Sequence, residues 1–175
     1  MLISGRAAMS SSQRLFSGAA ERNRKPIIEA LRPRLVQWQS KSGKGKKASV
    51  LEVACGSGQH AAYLARHLGD CVGRWYPTDL GMNEDKRKSI AEWAREEGAS
   101  EVVQKATELD TRTKFWGDNW KSKEIDHIFL ANMVSTSTSK KHFFCFVFVL
   151  LVLTFCSFPF SLRSLTFPPG RALLA

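Results

Sequence analysis

The chain has 175 residues, and its 26 Lys and Arg against 16 Asp and Glu give a formal charge of +10. That length allows one domain with a real core and excludes a full two-domain enzyme. The charge is uneven, because all 16 acids and 21 of the bases lie within residues 14–133, so the basic total does not by itself mark a nucleic-acid surface.

Residues 1–13, "MLISGRAAMSSSQ", hold Arg6, several serines and no acid, a faint transit-peptide composition. The stretch is short and contains a second start at Met9, so a disordered leader on a cytoplasmic protein is preferred to mitochondrial import. "AAERNRKPIIEALRPRLVQW" then places Ile27, Ile28, Leu31, Leu35 and Trp38 at helical spacing, with Pro26 suited to a first turn. Pro33 is expected to break or kink that helix. The basic run "KSGKGKK" at 41–47 is flanked by Ser and Gly without interleaved aromatics, and reads as a solvated loop; no specific nucleic acid is predicted as a partner.

"SVLEVAC" (49–55) reads as a buried strand ended by Gly56, and Gln59 to Leu68 as an apolar helix. "CVGRWYPTD" (71–79) is a second strand, expected to stop at Pro77 and Asp79, and "NEDKRKSIAEWAREEG" (83–98) is an amphipathic helix closed by Gly98. "VVQKATELD" (102–110) and "EIDHIFLANM" (124–133) supply a third and a fourth strand. This alternation predicts an α/β domain with a parallel sheet, whose ligands sit at the carboxyl ends of the strands. Cys55, Cys71, Cys145 and Cys156 form no CxxC pair, and no metal site is expected from them; they read as reduced apolar residues.

The turn Glu52-Val53-Ala54-Cys55-Gly56-Ser57-Gly58-Gln59-His60 lets backbone approach a ligand, and the following helix aims its N–H groups there. Asp79, 21 residues after Gly58, is placed to accept both hydroxyls of a ribose. A dinucleotide and S-adenosyl-L-methionine both suit this geometry. Glu52 argues against a pyrophosphate, which a carboxylate repels, and suits a ligand carrying a sulfonium and an ammonium. A turn that merely allows close helix–strand packing is the bland alternative. A side chain at Gly58 is expected to enter the ligand space. His60 reads as a capping or hydrogen-bonding residue, and Asp110 either accepts from an adenine amino group or forms an ordinary turn.

The blocks "RLFSGAAERNRKPIIEALR" (14–32), "VLEVACGSGQHAAYLARHL" (50–68), "WYPTDL" (75–80) and "ANM" (131–133) resemble the methyltransferase-like 26 family. This is a former domain-of-unknown-function family of predicted S-adenosylmethionine-dependent methyltransferases. The resemblance implies a Rossmann-like class I methyltransferase fold, complete in the family with seven strands. Glu52, Gly56 and Gly58 would line the methionine part of the cofactor, Asp79 its ribose and Asp110 its adenine. Asn132 would face the transferred methyl, while Arg22 and Asn23 would help close the pocket. It implies no particular methyl acceptor, and no catalytic residue is assigned. The alternative is a non-catalytic, membrane-tethered nucleoside-binding module.

The resemblance covers about residues 14–133 and stops there, which predicts an incomplete sheet of about four parallel strands with an uncovered edge, and catalysis impaired by the loss of the carboxyl-terminal strands. Residues 134–175 read as an unrelated apolar tail, and Val134-Ser135 is what a splice donor of the GTAAGT type encodes if an intron is retained. Phe143 to Leu162 is 20 uncharged residues, enough as a helix for ~30 Å, one hydrocarbon core. The segment is thus a candidate transmembrane helix, with Lys140 and Lys141 holding the domain on the cytosolic side.

Overall fold

The computed structural model describes residues 14–43, 45–113, 120 and 124–131, and the backbone of 151–154. The leader 1–13, Asn132, Cys145, Cys156 and most of the 143–162 segment lie outside the described residues. In chain order the elements are α1 (Gly18–Ser42), β1 (Ala48–Val53), α2 (Gln59–His67), β2 (Val72–Asp79), α3 (Glu84–Glu96), β3 (Thr107–Glu108), β4 (His127–Leu130) and β5 (Leu151–Thr154).

The strands form one sheet in the order β3-β2-β1-β4-β5. The first four run parallel, which gives the expected α/β, Rossmann-like architecture, and β5 is antiparallel to β4. The chain moves from β1 outward to β2 and β3, then returns to place β4 on the other side of β1. Strand order therefore reverses beside β1, where open α/β sheets hold their ligands.

Ser17 caps α1, its hydroxyl accepting from the Ala20 N–H, and the helix buries Ile27, Leu31, Leu35 and Trp38. It runs unbroken for 25 residues, so Pro26 lies well past the first turn and Pro33 does not end it. A proline in a helix interior costs about 3 kcal/mol. Breaking the helix at Pro33 would unseat Leu35 and Trp38, and burial of such side chains stabilises by about 1.5–3 kcal/mol each. The exposed position of Pro33 leaves its ring free of the packed face.

With α2, this stripe covers one face of the sheet around Val50, Trp75 and Phe129. Leu51, Val53, Tyr76 and Ile128 point to the opposite face and pack with Leu109 and Trp120. The basic loop is partly tied down: Lys46 pairs with Asp126 at 3.5 Å, and Lys47 Nζ donates to the Gly69 carbonyl at 2.6 Å.

Two expectations about strands change. Pro77 does not stop β2; it lies within the strand opposite Glu52. The third strand, expected over 102–110, is only Thr107–Glu108. The two facts have one cause. Trp75 N–H donates to Val102 C=O at 2.9 Å and its carbonyl accepts from Gln104 N–H at 2.8 Å, so alternate residues of β2 face this neighbour. The next residue facing it is Pro77, which has no N–H to give. The ladder lapses there and resumes at Thr78 opposite Thr107.

The edge of β4 is also not bare. Leu151–Thr154, within the segment expected to form a transmembrane helix, is a strand paired with His127–Leu130. Among the described residues no helix is long and apolar enough to cross a membrane.

Candidate functional site

Three left-handed residues shape the turn after β1: Ala54 (φ 58°), Gly56 (φ 55°) and Gly58 (φ 86°). A non-glycine residue is rarely found there, and such outliers concentrate at ligand sites. Cys55 N–H donates to the Thr78 carbonyl at 2.9 Å, tying the turn to the end of β2. Gly58 then begins α2, its carbonyl accepting from Ala62 N–H at 3.1 Å.

The two glycines have different reasons to be glycine. A Cβ on Gly58 would meet Ile90 Cγ1 at 2.6 Å and Ile90 Cα at 2.8 Å, so this position is closed by the backbone of α3. The expectation that a side chain at Gly58 enters ligand space is thereby corrected; it would enter α3. At Gly56 a Cβ would meet nothing within 4 Å among the described residues.

Asp79 stands at the carboxyl end of β2, beside this turn. Its Oδ2 accepts from Gly56 N–H at 3.2 Å and Lys86 Nζ at 3.0 Å, and its Oδ1 from Leu80 N–H at 2.8 Å. Lys86 also donates to the Leu80 carbonyl at 3.1 Å. Glu52 is buried in β1, and Trp75 Nε1 donates to its Oε2 at 2.7 Å. Burial, partly opposed by this bond and aided by nearby Asp79, pushes the Glu52 carboxyl up to about 8. Near neutral pH it is therefore mostly protonated, and it does not supply the repulsion of a pyrophosphate that the sequence suggested. The same burial, with Glu52 and Asp79 close by, pushes the Cys55 thiol well above the usual range.

The amino-terminal block packs onto the start of α2. Asn23 is buried, with its Oδ1 2.6 Å from His60 Nε2, and the His60 ring also bonds the Ala20 backbone. Burial pushes the imidazole down to about 4, so His60 is neutral and serves as a hydrogen-bonding residue. Arg22 is exposed and folds back along α1, where its guanidinium comes within 3.3 Å of a Cβ built on Gly18. Just before α1 the chain straps α2 to α3. Ser17 N–H donates to Gln59 Oε1, Leu15 N–H to Ser89 Oγ at 2.9 Å, and Trp93 Nε1 to the Leu15 carbonyl at 2.9 Å. Ser89 in turn donates to the Ser57 carbonyl at 2.8 Å, within the glycine turn.

Glu52, Gly56, Gly58 and Asp79 thus gather at the β1–β2 ends, and Asn23 reaches the start of α2 through His60, whereas Arg22 lies exposed along α1 and is not brought to them. Asp110 stands in a turn, its carbonyl accepting from Thr113 N–H at 3.2 Å. Arg112 grips its carboxylate with Nε and NH2, both at 2.8 Å, and with its backbone N–H at 2.9 Å. Those bonds hold the Asp110 carboxyl down at about 2. A cleft of about 850 Å³ lies between α3 and residues 100–108, but it contains none of the residues picked from the sequence. The left-handed turn and the Asp79 carboxylate lie instead at the strand ends beside β1.

Lys86 was missed by sequence reasoning. The signal was available: it is a cation in the first turn of α3, after Glu84 and Asp85, where the helix dipole disfavours positive charge.

A family model described as "Protein of unknown function (DUF938)" matches residues 14–148. The chain belongs to that family. The DUF938 match embraces every site residue named above, from Arg22 to Asn132, together with the amino-terminal strap. No solved structure matches the chain.

Proposed function

We propose that this member of the DUF938 family is an S-adenosylmethionine-dependent methyltransferase-like protein, its cofactor held by the β1–α2 turn and Asp79. The observation that carries the reading is the placement of the Asp79 carboxylate against the Gly56 N–H, 3.2 Å away, where strand order reverses. A carboxylate at that point accepts ribose hydroxyls. The same site in a dinucleotide protein uses its second glycine to let backbone approach a pyrophosphate; here Gly58 is closed by Ile90 instead. The sequence blocks that resemble the methyltransferase-like 26 family support the same choice of cofactor.

S-adenosylmethionine would supply an electrophilic methyl on a sulfonium. The chain's own task is to align the ligand and exclude water. Glu52, buried at the end of β1, would be favoured in its ionised form by a cation placed beside it. A second reading, a nucleoside-binding module without catalysis, is favoured by one fact. His60 is buried and neutral and the Asp110 carboxylate is gripped by Arg112, so neither is placed to move a proton.

Titration of the full-length chain with S-adenosylmethionine and with NAD, followed by incubation with labelled S-adenosylmethionine and cell extract, separates these readings. Binding with label transfer is the expected result. Binding without transfer would leave the module, and protection by NAD alone would overturn the cofactor assignment.

A further inference from the structure

Lys86 holds the carboxylate that a ribose would need. A carboxylate offers roughly four lone-pair sites. Among the described residues, Asp79 already accepts three donors: Leu80 N–H on Oδ1, and Gly56 N–H and Lys86 Nζ on Oδ2. The two backbone bonds are built into the turn and the strand end. A ribose diol brings two hydroxyls, so it fits only if the third donor, the side-chain ammonium of Lys86, withdraws.

We propose that Lys86 is an internal competitor for the ribose hydroxyls, a specificity-determining residue that must leave Asp79 before a nucleoside diol engages it. The inference rests on the nucleoside site proposed above. Two features of the molecule support it. The ion pair is partly screened from water, with the Lys86 side chain 26% and the Asp79 side chain 15% exposed. Lys86 also occupies the first turn of α3, whose dipole disfavours a cation, while its own N–H is capped by Asn83 Oδ1 at 2.9 Å. Its side chain is thus not needed to start the helix. Its ammonium bonds Asp79 and the Leu80 carbonyl, both outside α3, so its departure gives up those two bonds and leaves the helix intact. The lysine stem is long enough to turn its ammonium back to solvent.

Adenosine is the suitable probe because it is neutral, so the charge of Lys86 does not act on it directly. Lys86→Met and Lys86→Arg are compared with the parent full-length chain by calorimetric titration with adenosine and with 2′,3′-dideoxyadenosine. Release of a partly exposed ion pair predicts about fivefold tighter adenosine binding in Lys86→Met. Lys86→Arg, which retains a cation able to reach Asp79, should stay near the parent. The dideoxy compound, lacking both hydroxyls, should bind all three proteins alike.

Adenosine binding by the parent with no gain in Lys86→Met would overturn the competitor role alone. An equal gain for the dideoxy compound would overturn it too, since the effect would then not involve the hydroxyls. Failure of every protein to bind adenosine or S-adenosylmethionine would overturn both this role and the cofactor site.

Discussion

Gly56 and Gly58 share a left-handed backbone but face different surroundings, and substitution separates them. Alanine in that conformation costs roughly 1–2 kcal/mol at either position. At Gly58 it must also displace Ile90 backbone at 2.8 Å, which no rotamer change relieves. Overpacking of that kind adds roughly 1–3 kcal/mol. Gly58→Ala should therefore lower unfolding stability by roughly 3 kcal/mol in a denaturant titration, and Gly56→Ala by about half that. On the proposed reading, the ranking reverses for S-adenosylmethionine affinity, where Gly56→Ala is the worse change. Equal losses of stability would show that the contact with Ile90 is not a constraint. Buried titratable groups give a second test. Glu52, raised from 4.5 to about 8 in the fold, favours its protonated form, so its contribution is complete below 4.5 and is lost as pH rises through about 8. His60 works oppositely. Lowered from 6.5 to about 4, it costs stability as pH falls across that interval, and His127, pushed down by burial against Trp38, acts in the same sense. Glu52→Gln keeps an acceptor for Trp75 Nε1 and removes only the alkaline loss. Its melting temperature should rise relative to the parent between pH 5 and 8, with the acid limb unchanged; parallel curves across that range would place the carboxyl in solvent.

Helix α1 persists through two prolines because its buried stripe outweighs them, and that makes Pro33 a site where stability can be gained. The residue is exposed, so Pro33→Ala loses no packing and restores an N–H to the ladder. A gain of up to about 3 kcal/mol is expected in chemical denaturation, and a loss would mean that the proline shapes a bend the core requires. How far such elements could be read from sequence depended on whether their cause was local. α2 and α3 were legible almost to their ends, because apolar periodicity and the Asn83 cap are written into their own residues. The strand expected over 102–110 was not, because what shortens it is a proline in its neighbour, 30 positions from Thr107. Pro33 misled for a related reason, since the residues that hold α1 together contact α2 and the sheet. At the site, Glu52, the glycines and Asp79 were legible as a spaced pattern. The Lys86–Asp79 pair required knowing where the first turn of α3 points, and the strap from Leu15 to Trp93 spans 78 positions.

For the whole molecule, the decisive question is which of two uses Leu151–Thr154 takes. As β5 it pairs with β4 and covers an edge that a sheet of four parallel strands would leave open. As part of a helix over 143–162 it would cross a bilayer instead, and the same backbone N–H groups cannot serve both arrangements. Proline substitutions discriminate because neighbouring residues of a strand send their N–H groups to opposite sides. Val152 lies opposite Phe129 and Leu153 opposite Ile128, and β5 is the last strand of the sheet among the described residues. One of the two residues therefore directs its N–H toward β4 and the other away from it. Val152→Pro and Leu153→Pro should differ in stability by about 1–3 kcal/mol, the cost of a lost ladder bond with a buried acceptor left behind. A membrane helix distant from the domain would make the two variants equally harmless to domain unfolding. Carbonate extraction of cells expressing the tagged full-length chain supplies the complementary readout. β5 within the sheet predicts release from membranes by alkaline carbonate, whereas retention in the pellet, together with equal behaviour of the two proline variants, would restore the transmembrane assignment and reopen the edge of β4.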